Sequence, residues 1–256
     1  MRGSQPASAR PRRACSFSFL VILALARVLG AGRAEASLVS GYASATSVAP
    51  LDTLGIHVSG SCATVTLRFF RVGPTPTLML EVPDLVPEDV PAPDSAWVKG
   101  CGWPTLYTLS VPAEWPSGMY DLELDPSDAG PGSHVPFVVR GSALAPNPVL
   151  VLSAVNTYQA YNNFGGKSLY DYNSIDDRAP KVSFDRPYLS HAGLGQPHFE
   201  QPFVTWFEGA GFSADYATDV DLALSPSILD GHRLLIVVGH NEYWPPSTVQ
   251  AVKASP

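Results

Sequence analysis

Two short stretches hold most of the residues able to do chemistry. Asn156 to Asn173, NTYQAYNNFGGKSLYDYN, carries four tyrosines (Tyr158, Tyr161, Tyr170, Tyr172), four asparagines and a Gly-Gly pair. Gly239 to Trp244, GHNEYW, carries His240, Asn241 and Glu242. Phenols and a carboxylate are hard oxygen donors, suited to a highly charged cation such as ferric iron. A phenol, with an ordinary pKa of about 10, becomes a ligand only when such a cation displaces its proton. Glu242 also reads as an acid at a helix start, favoured there by the helix dipole. Other chemistries lack their residues. No G-x-S-x-G elbow occurs and no cysteine lies between Asn147 and Pro256, so acyl transfer has no nucleophile there. Gly165-Gly166-Lys167-Ser168 misses a phosphate loop because Tyr161 stands where its first glycine belongs. The six histidines are scattered, with no H-E-x-x-H and no paired-cysteine set for zinc; His191, His198 and His232 read as loop or surface residues.

TYQAYNNFGGKSLY, VSFDRPY and VVGHNEYW, in that order, resemble the C-terminal domain of the large subunit of N,N-dimethylformamidase and its relatives over about residues 146–256, and WPSGMY before them is similar in kind. The resemblance implies hydrolysis of a small amide-like molecule at a mononuclear iron (Fe3+) held by two tyrosines and one glutamate. Residue by residue, the glutamate falls on Glu242, one tyrosine on Tyr161 and the other on Tyr120. Tyr120 reads equally as a corner tyrosine whose hydroxyl bonds backbone. Asn162, His240 and Asn241 flank the implied ligands and would orient water or an oxyanion. Arg186 offers either a bidentate partner for a carboxylate or a solvated loop cation. Two competing readings stand beside the hydrolase. One is a non-catalytic binding or adhesion module that presents rings to a glycan or a surface. The other makes Tyr158, Tyr161, Phe164 and Tyr170 an aromatic layer kept for packing.

The elements that must position these residues follow from patterning. Residues 1–36 read as an export signal: four arginines precede the apolar run Phe17 to Ala26, and Ala34-x-Ala36 fits a cleavage site. The run is too short for a membrane anchor, so a secreted or periplasmic chain without a stable membrane span is expected. Without those residues, which hold six Arg and one Glu, 10 basic and 22 acidic residues remain, a net charge of −12 that disfavours nucleic acid. Cys62 and Cys101 are then the remaining pair, and an exported chain leads us to expect a disulfide between them. Residues 37–142 alternate in short strands such as TLGIHVSG and GMYDLELD, the pattern of an immunoglobulin-like β-sandwich. Residues 143–148 form a proline-bearing linker. From residue 149 the grammar changes: VLVLS and RLLIVVG are apolar runs fit for strands buried on both faces, separated by an amphipathic helix around Phe203, Trp206 and Phe207. Residues 149–256 therefore read as a three-layer α/β domain with a mainly parallel sheet, its ligand site at the carboxyl ends of the strands. Three clear strands make a small sheet, so the domain is expected to be incomplete at Pro256. A second copy or a separate small subunit is the expected protein partner; the known enzyme is intracellular and its large subunit far longer, departures that the export signal and the length of this chain set against the resemblance.

Overall fold

A computed structural model describes residues 39–128, 130–189 and 200–255; the expected export signal, His191 and His198 lie outside the described residues. In the first half, strands β1 (Val39–Ala43), β3 (Thr53–Gly60) and β6 (Thr105–Ser110) form one antiparallel sheet in the order β1-β3-β6. The second sheet has five strands in the order β2-β8-β7-β4-β5, built from β2 (Ser47–Val48), β4 (Val65–Arg71), β5 (Thr77–Leu85), β7 (Gly118–Pro126) and β8 (Ser133–Val139). Alternation along β4 sends Val65, Leu67 and Phe69 inward. One apolar cluster takes side chains from both sheets, among them Ile56, Leu109, Phe69, Leu122 and Phe137. β1, β2 and β5 go beyond the sequence expectation. β5 lies at the sheet edge, shows solvent an irregular pattern and carries Pro83, so it lacks the alternation that marks a half-buried strand.

The expected disulfide does not form. Cys62 and Cys101 are both free and buried. Cys62 belongs to the cluster between the two sheets, whereas Cys101 packs with Tyr42, Ala96 and Trp103 beside the short helix α1 (Ala96–Lys99). Burial pushes the Cys101 thiol up to about 12, so it behaves as a small apolar side chain.

In the second half, β9 (Val149–Ser153) is buried from Leu150 to Ser153 and pairs in parallel with β10 (Asp215–Thr218) on one side and β11 (Leu234–Val237) on the other. The helices are α2 (Val155–Tyr161), α3 (Glu200–Gly209), α4 (Asp219–Leu224) and α5 (Pro246–Ala254). α3 turns Val204 and Phe207 inward and leaves Trp206 exposed. α4 begins with a reciprocal capping box, in which Thr218 accepts the Asp221 N–H and Asp221 accepts the Thr218 N–H. The chain leaves β9 toward β10 and then crosses to β11 on the far side, so the carboxyl end of β9 is a switch point of the kind that opens a crevice. Among the described residues, no helix is long and apolar enough to cross a membrane.

Side chains tie the two halves together. Arg71, last residue of β4, makes a bidentate pair with Glu208 of α3, with both N–O distances 2.8 Å, and Tyr216 donates to the same carboxylate at 2.8 Å. Arg140, just past β8, pairs with Asp221 of α4 at 3.0 Å, and Ser47 of β2 donates to that oxygen at 2.6 Å.

Candidate metal centre

The site is assembled from the two segments that leave β9 and β11. Past β9, the N–H groups of Ala154 and Asn156 are held by the buried carboxylates of Glu200 and Asp219, which fixes the start of α2. Thr157 and Tyr161 are four residues apart and therefore share one face of that helix. Past β11, the chain turns at Gly239, φ +71°, and Asn241 folds its side-chain amide onto the Val238 carbonyl at 2.7 Å. The Glu242 N–H donates to Thr157 Oγ1 at 2.9 Å. Thr157 thus fixes the Glu242 backbone while Tyr161, one turn on, meets its carboxylate.

A second phenol comes from the loop after α2. The loop turns at Gly165 and Gly166, both at positive φ, and a Cβ on Gly165 would lie 2.8 Å from the Trp97 backbone nitrogen. It then doubles back, so that the Leu169 N–H reaches the Ala160 carbonyl at 2.9 Å. Asn173 donates to the Tyr161 carbonyl at 2.9 Å, and the buried Ser168 hydroxyl bonds the Asn173 side chain. This return stacks Tyr170 on Tyr161 with ring centroids 4.2 Å apart.

Three donors converge on one atom, Glu242 Oε2: Tyr170 at 2.6 Å, Tyr161 at 2.9 Å and His240 Nε2 at 3.1 Å. Tyr243 donates to the Tyr170 hydroxyl at 2.9 Å, extending the chain of phenols. The Tyr170 hydrogen bond is the largest cause holding the Glu242 carboxyl below its ordinary range, with Tyr161 and His240 adding to it. Burial raises both phenols, and Glu242 as their acceptor raises them further, so without a cation they stay protonated. Glu242 and His240 remain open to solvent, with side chains 38% and 42% exposed.

The structure therefore brings Tyr161, Glu242 and His240 together, with Asn241 shaping the turn between the last two, and engages Tyr120, Asn162 and Arg186 in other contacts. Tyr120 lies in β7 at 1% exposure, stacked between Trp115 and Phe137, and its hydroxyl donates to the Pro116 carbonyl at 2.9 Å. That contact is the one a corner tyrosine makes, and the second phenol on Glu242 is Tyr170. Asn162 is buried, donating to Pro187 O and to Gln159 Oε1 and accepting from the Phe164 and Leu189 N–H groups. Among the described residues Arg186 pairs with no carboxylate; it is buried among backbone carbonyls. Tyr158 is buried, whereas Tyr172 is exposed beside Tyr170. Only the return of the loop selects Tyr170, and nothing in its spacing from Tyr161 announces it.

Two phenols, a carboxylate and an adjacent imidazole within reach of one atom make a donor set of the kind a hard trivalent cation takes. One other group of possible ligands occurs among the described residues, Asp121, Glu123 and His134 on the solvent side of β7 and β8, where His134 pairs with Asp121 at 2.8 Å.

No curated protein matches the chain. A family model described as N,N-dimethylformamidase beta subunit-like, C-terminal, matches residues 75–255, reaching from just before β5 to the end of α5 and so taking in Tyr161, Tyr170, His240 and Glu242. On that match, which spans well over half of its length, the chain belongs to the N,N-dimethylformamidase beta subunit-like, C-terminal family.

Proposed function

We propose that this chain is an exported hydrolase of amide-type C–N bonds whose metal ligands are Tyr161, Tyr170 and Glu242. The observation that carries the reading is the convergence of both phenols and His240 on Glu242 Oε2, within a family described by a dimethylformamidase. When bound, a ferric ion would supply Lewis acidity, polarising an amide carbonyl and making water a nucleophile at neutral pH. The protein's own part is positional. Glu242, anionic because three donors favour its charged form, draws a cation to the crevice at the end of β9. The stacked rings bring both phenol oxygens to the same Glu242 oxygen, where they would be available to that cation. Hydrolysis adds water across the C–N bond, and the departing nitrogen must gain a proton. His240 Nε2, which hydrogen-bonds Glu242 Oε2 and is open to solvent, is the group placed to hand it over. Asn241 keeps the His240–Glu242 turn in shape through its bond to Val238.

In this reading residues 37–142 are an immunoglobulin-like sandwich, 143–148 a linker and 149–256 the domain that carries the chemistry. The family's description as a beta subunit supports a separate partner subunit. The test is amine release from a panel of formamides and acetamides by the full chain loaded with ferric iron. Glu242→Gln is expected to lower the rate by at least about a hundredfold, the scale seen when a charged transition-state partner is lost. Absence of amine release from every amide, with iron bound, would overturn the hydrolase reading.

A further inference from the structure

We propose that Arg186 is the positioning residue that sets the spacing of Tyr161 and Tyr170, a role that rests on the metal-site reading above for its consequence in binding. Arg186 is fully buried, at 0% exposure. Its Nε donates to Ser183 O at 2.9 Å. Nη1 donates to Phe164 O at 2.8 Å and Lys167 O at 3.1 Å. Nη2 donates to Gln159 O at 3.1 Å and Asn162 O at 2.8 Å. A guanidinium has five N–H donors, so all of them are engaged with carbonyls and none is left for an anionic ligand.

The identity of those carbonyls gives the role. Gln159 and Asn162 flank Tyr161 at the C-terminal end of α2, where carbonyls lack partners within the helix. Phe164 and Lys167 belong to the loop that returns Tyr170 to stack on Tyr161. One planar cation therefore ties the helix end that carries one phenol to the loop that delivers the other. Its own segment is anchored independently, because Ser183 N–H bonds Trp97 O at 2.9 Å and Cys101 N–H bonds Asp185 O at 2.8 Å. Asn162 extends the clamp through Pro187 and Leu189. The partial negative charge at the end of α2 favours a cation here. Burial lowers the Arg186 pKa to about 10, which still leaves it charged at neutral pH. A lysine has the charge but three donors on a single point, and cannot span carbonyls from two segments in this fork geometry.

The decisive variant is Arg186→Lys in the full chain, read in two ways. With tyrosine labelled by ¹³C at Cζ and the signals assigned through Tyr161→Phe and Tyr170→Phe, both signals are expected to shift in Arg186→Lys as the stacking is lost, while the Tyr120 signal stays in place. Ferric-ion affinity, by competition with a chelator, is expected to fall about ten- to a hundredfold, the usual effect of losing a group that orients ligands. Unchanged Tyr161 and Tyr170 signals would overturn the positioning role. If the wild-type chain takes up no ferric ion, the metal reading falls and the tyrosine signals alone decide Arg186. Should Arg186→Lys fail to fold, the reciprocal measurement uses Tyr161→Phe: the Arg186 Nη resonances are expected to move relative to wild type, and unmoved resonances would overturn the role.

Discussion

Tyr120 and Tyr170 sit in different surroundings, and only the second has its hydroxyl on Glu242. Tyr120 sits on β7 with its side chain in the apolar cluster shared by the two sheets, and its hydroxyl is satisfied four residues back at Pro116. Tyr170 has its hydroxyl on Glu242. Tyr120→Phe should therefore cost about 1 kcal/mol of stability, the net worth of one hydrogen bond, and leave metal binding intact. Urea unfolding of the variant beside wild type measures the first, and ferric-ion titration the second. Tyr161 and Glu242 were legible as candidates only through the resemblance of TYQAYNNFGGKSLY and VVGHNEYW to the family; their place after two apolar strands agrees with it but could not have singled them out. Tyr170 and Arg186 were not, because their positions depend on a loop that doubles back and on a segment packed from elsewhere in the chain. A buried arginine that binds only carbonyls leaves no charge partner in the sequence to reveal it.

At the scale of elements, β9 and β3 were legible to the residue, since an apolar run or strict alternation is what burial requires of a strand. The edge strand β5 was not, since solvent on one side removes that requirement. The start of α2 carries a pH dependence. Asp219, fully buried where it accepts the Asn156 N–H, has its carboxyl pushed up to about 7, chiefly by burial. The unfolded carboxyl titrates near its ordinary 3.8. Between roughly pH 4 and pH 7 the folded chain keeps a proton that the unfolded chain has lost, so this group's contribution to stability falls as pH rises through that window. Asp219→Asn removes the dependence while keeping an acceptor oxygen. Melting temperatures from pH 5 to pH 8 should show wild type losing ground to the variant as pH rises; parallel curves would show that Asp219 is ionised when folded.

For the molecule as a whole, Arg71 and Glu208 bind the last residue of β4 to α3 with side chains only 19% and 14% exposed. Removing one partner leaves a charge in a desolvated place, so Arg71→Ala should cost about 3 kcal/mol, the lower end for a buried pair broken on one side. Replacing both residues with apolar side chains of similar size should cost less, and a double-mutant cycle in urea separates the two effects. Arg71 ends β4 and bonds none of Tyr161, Tyr170, His240 or Glu242, so ferric-ion affinity of the folded variant should match wild type.

If Tyr161 and Tyr170, with Glu242, hold a ferric ion, the visible spectrum of the full chain with one equivalent of ferric iron should show it. A phenolate-to-iron absorption band is expected that weakens in Tyr161→Phe and in Tyr170→Phe and is unchanged in Tyr120→Phe. A colourless protein, or a band lost in Tyr120→Phe and kept in Tyr170→Phe, would contradict it.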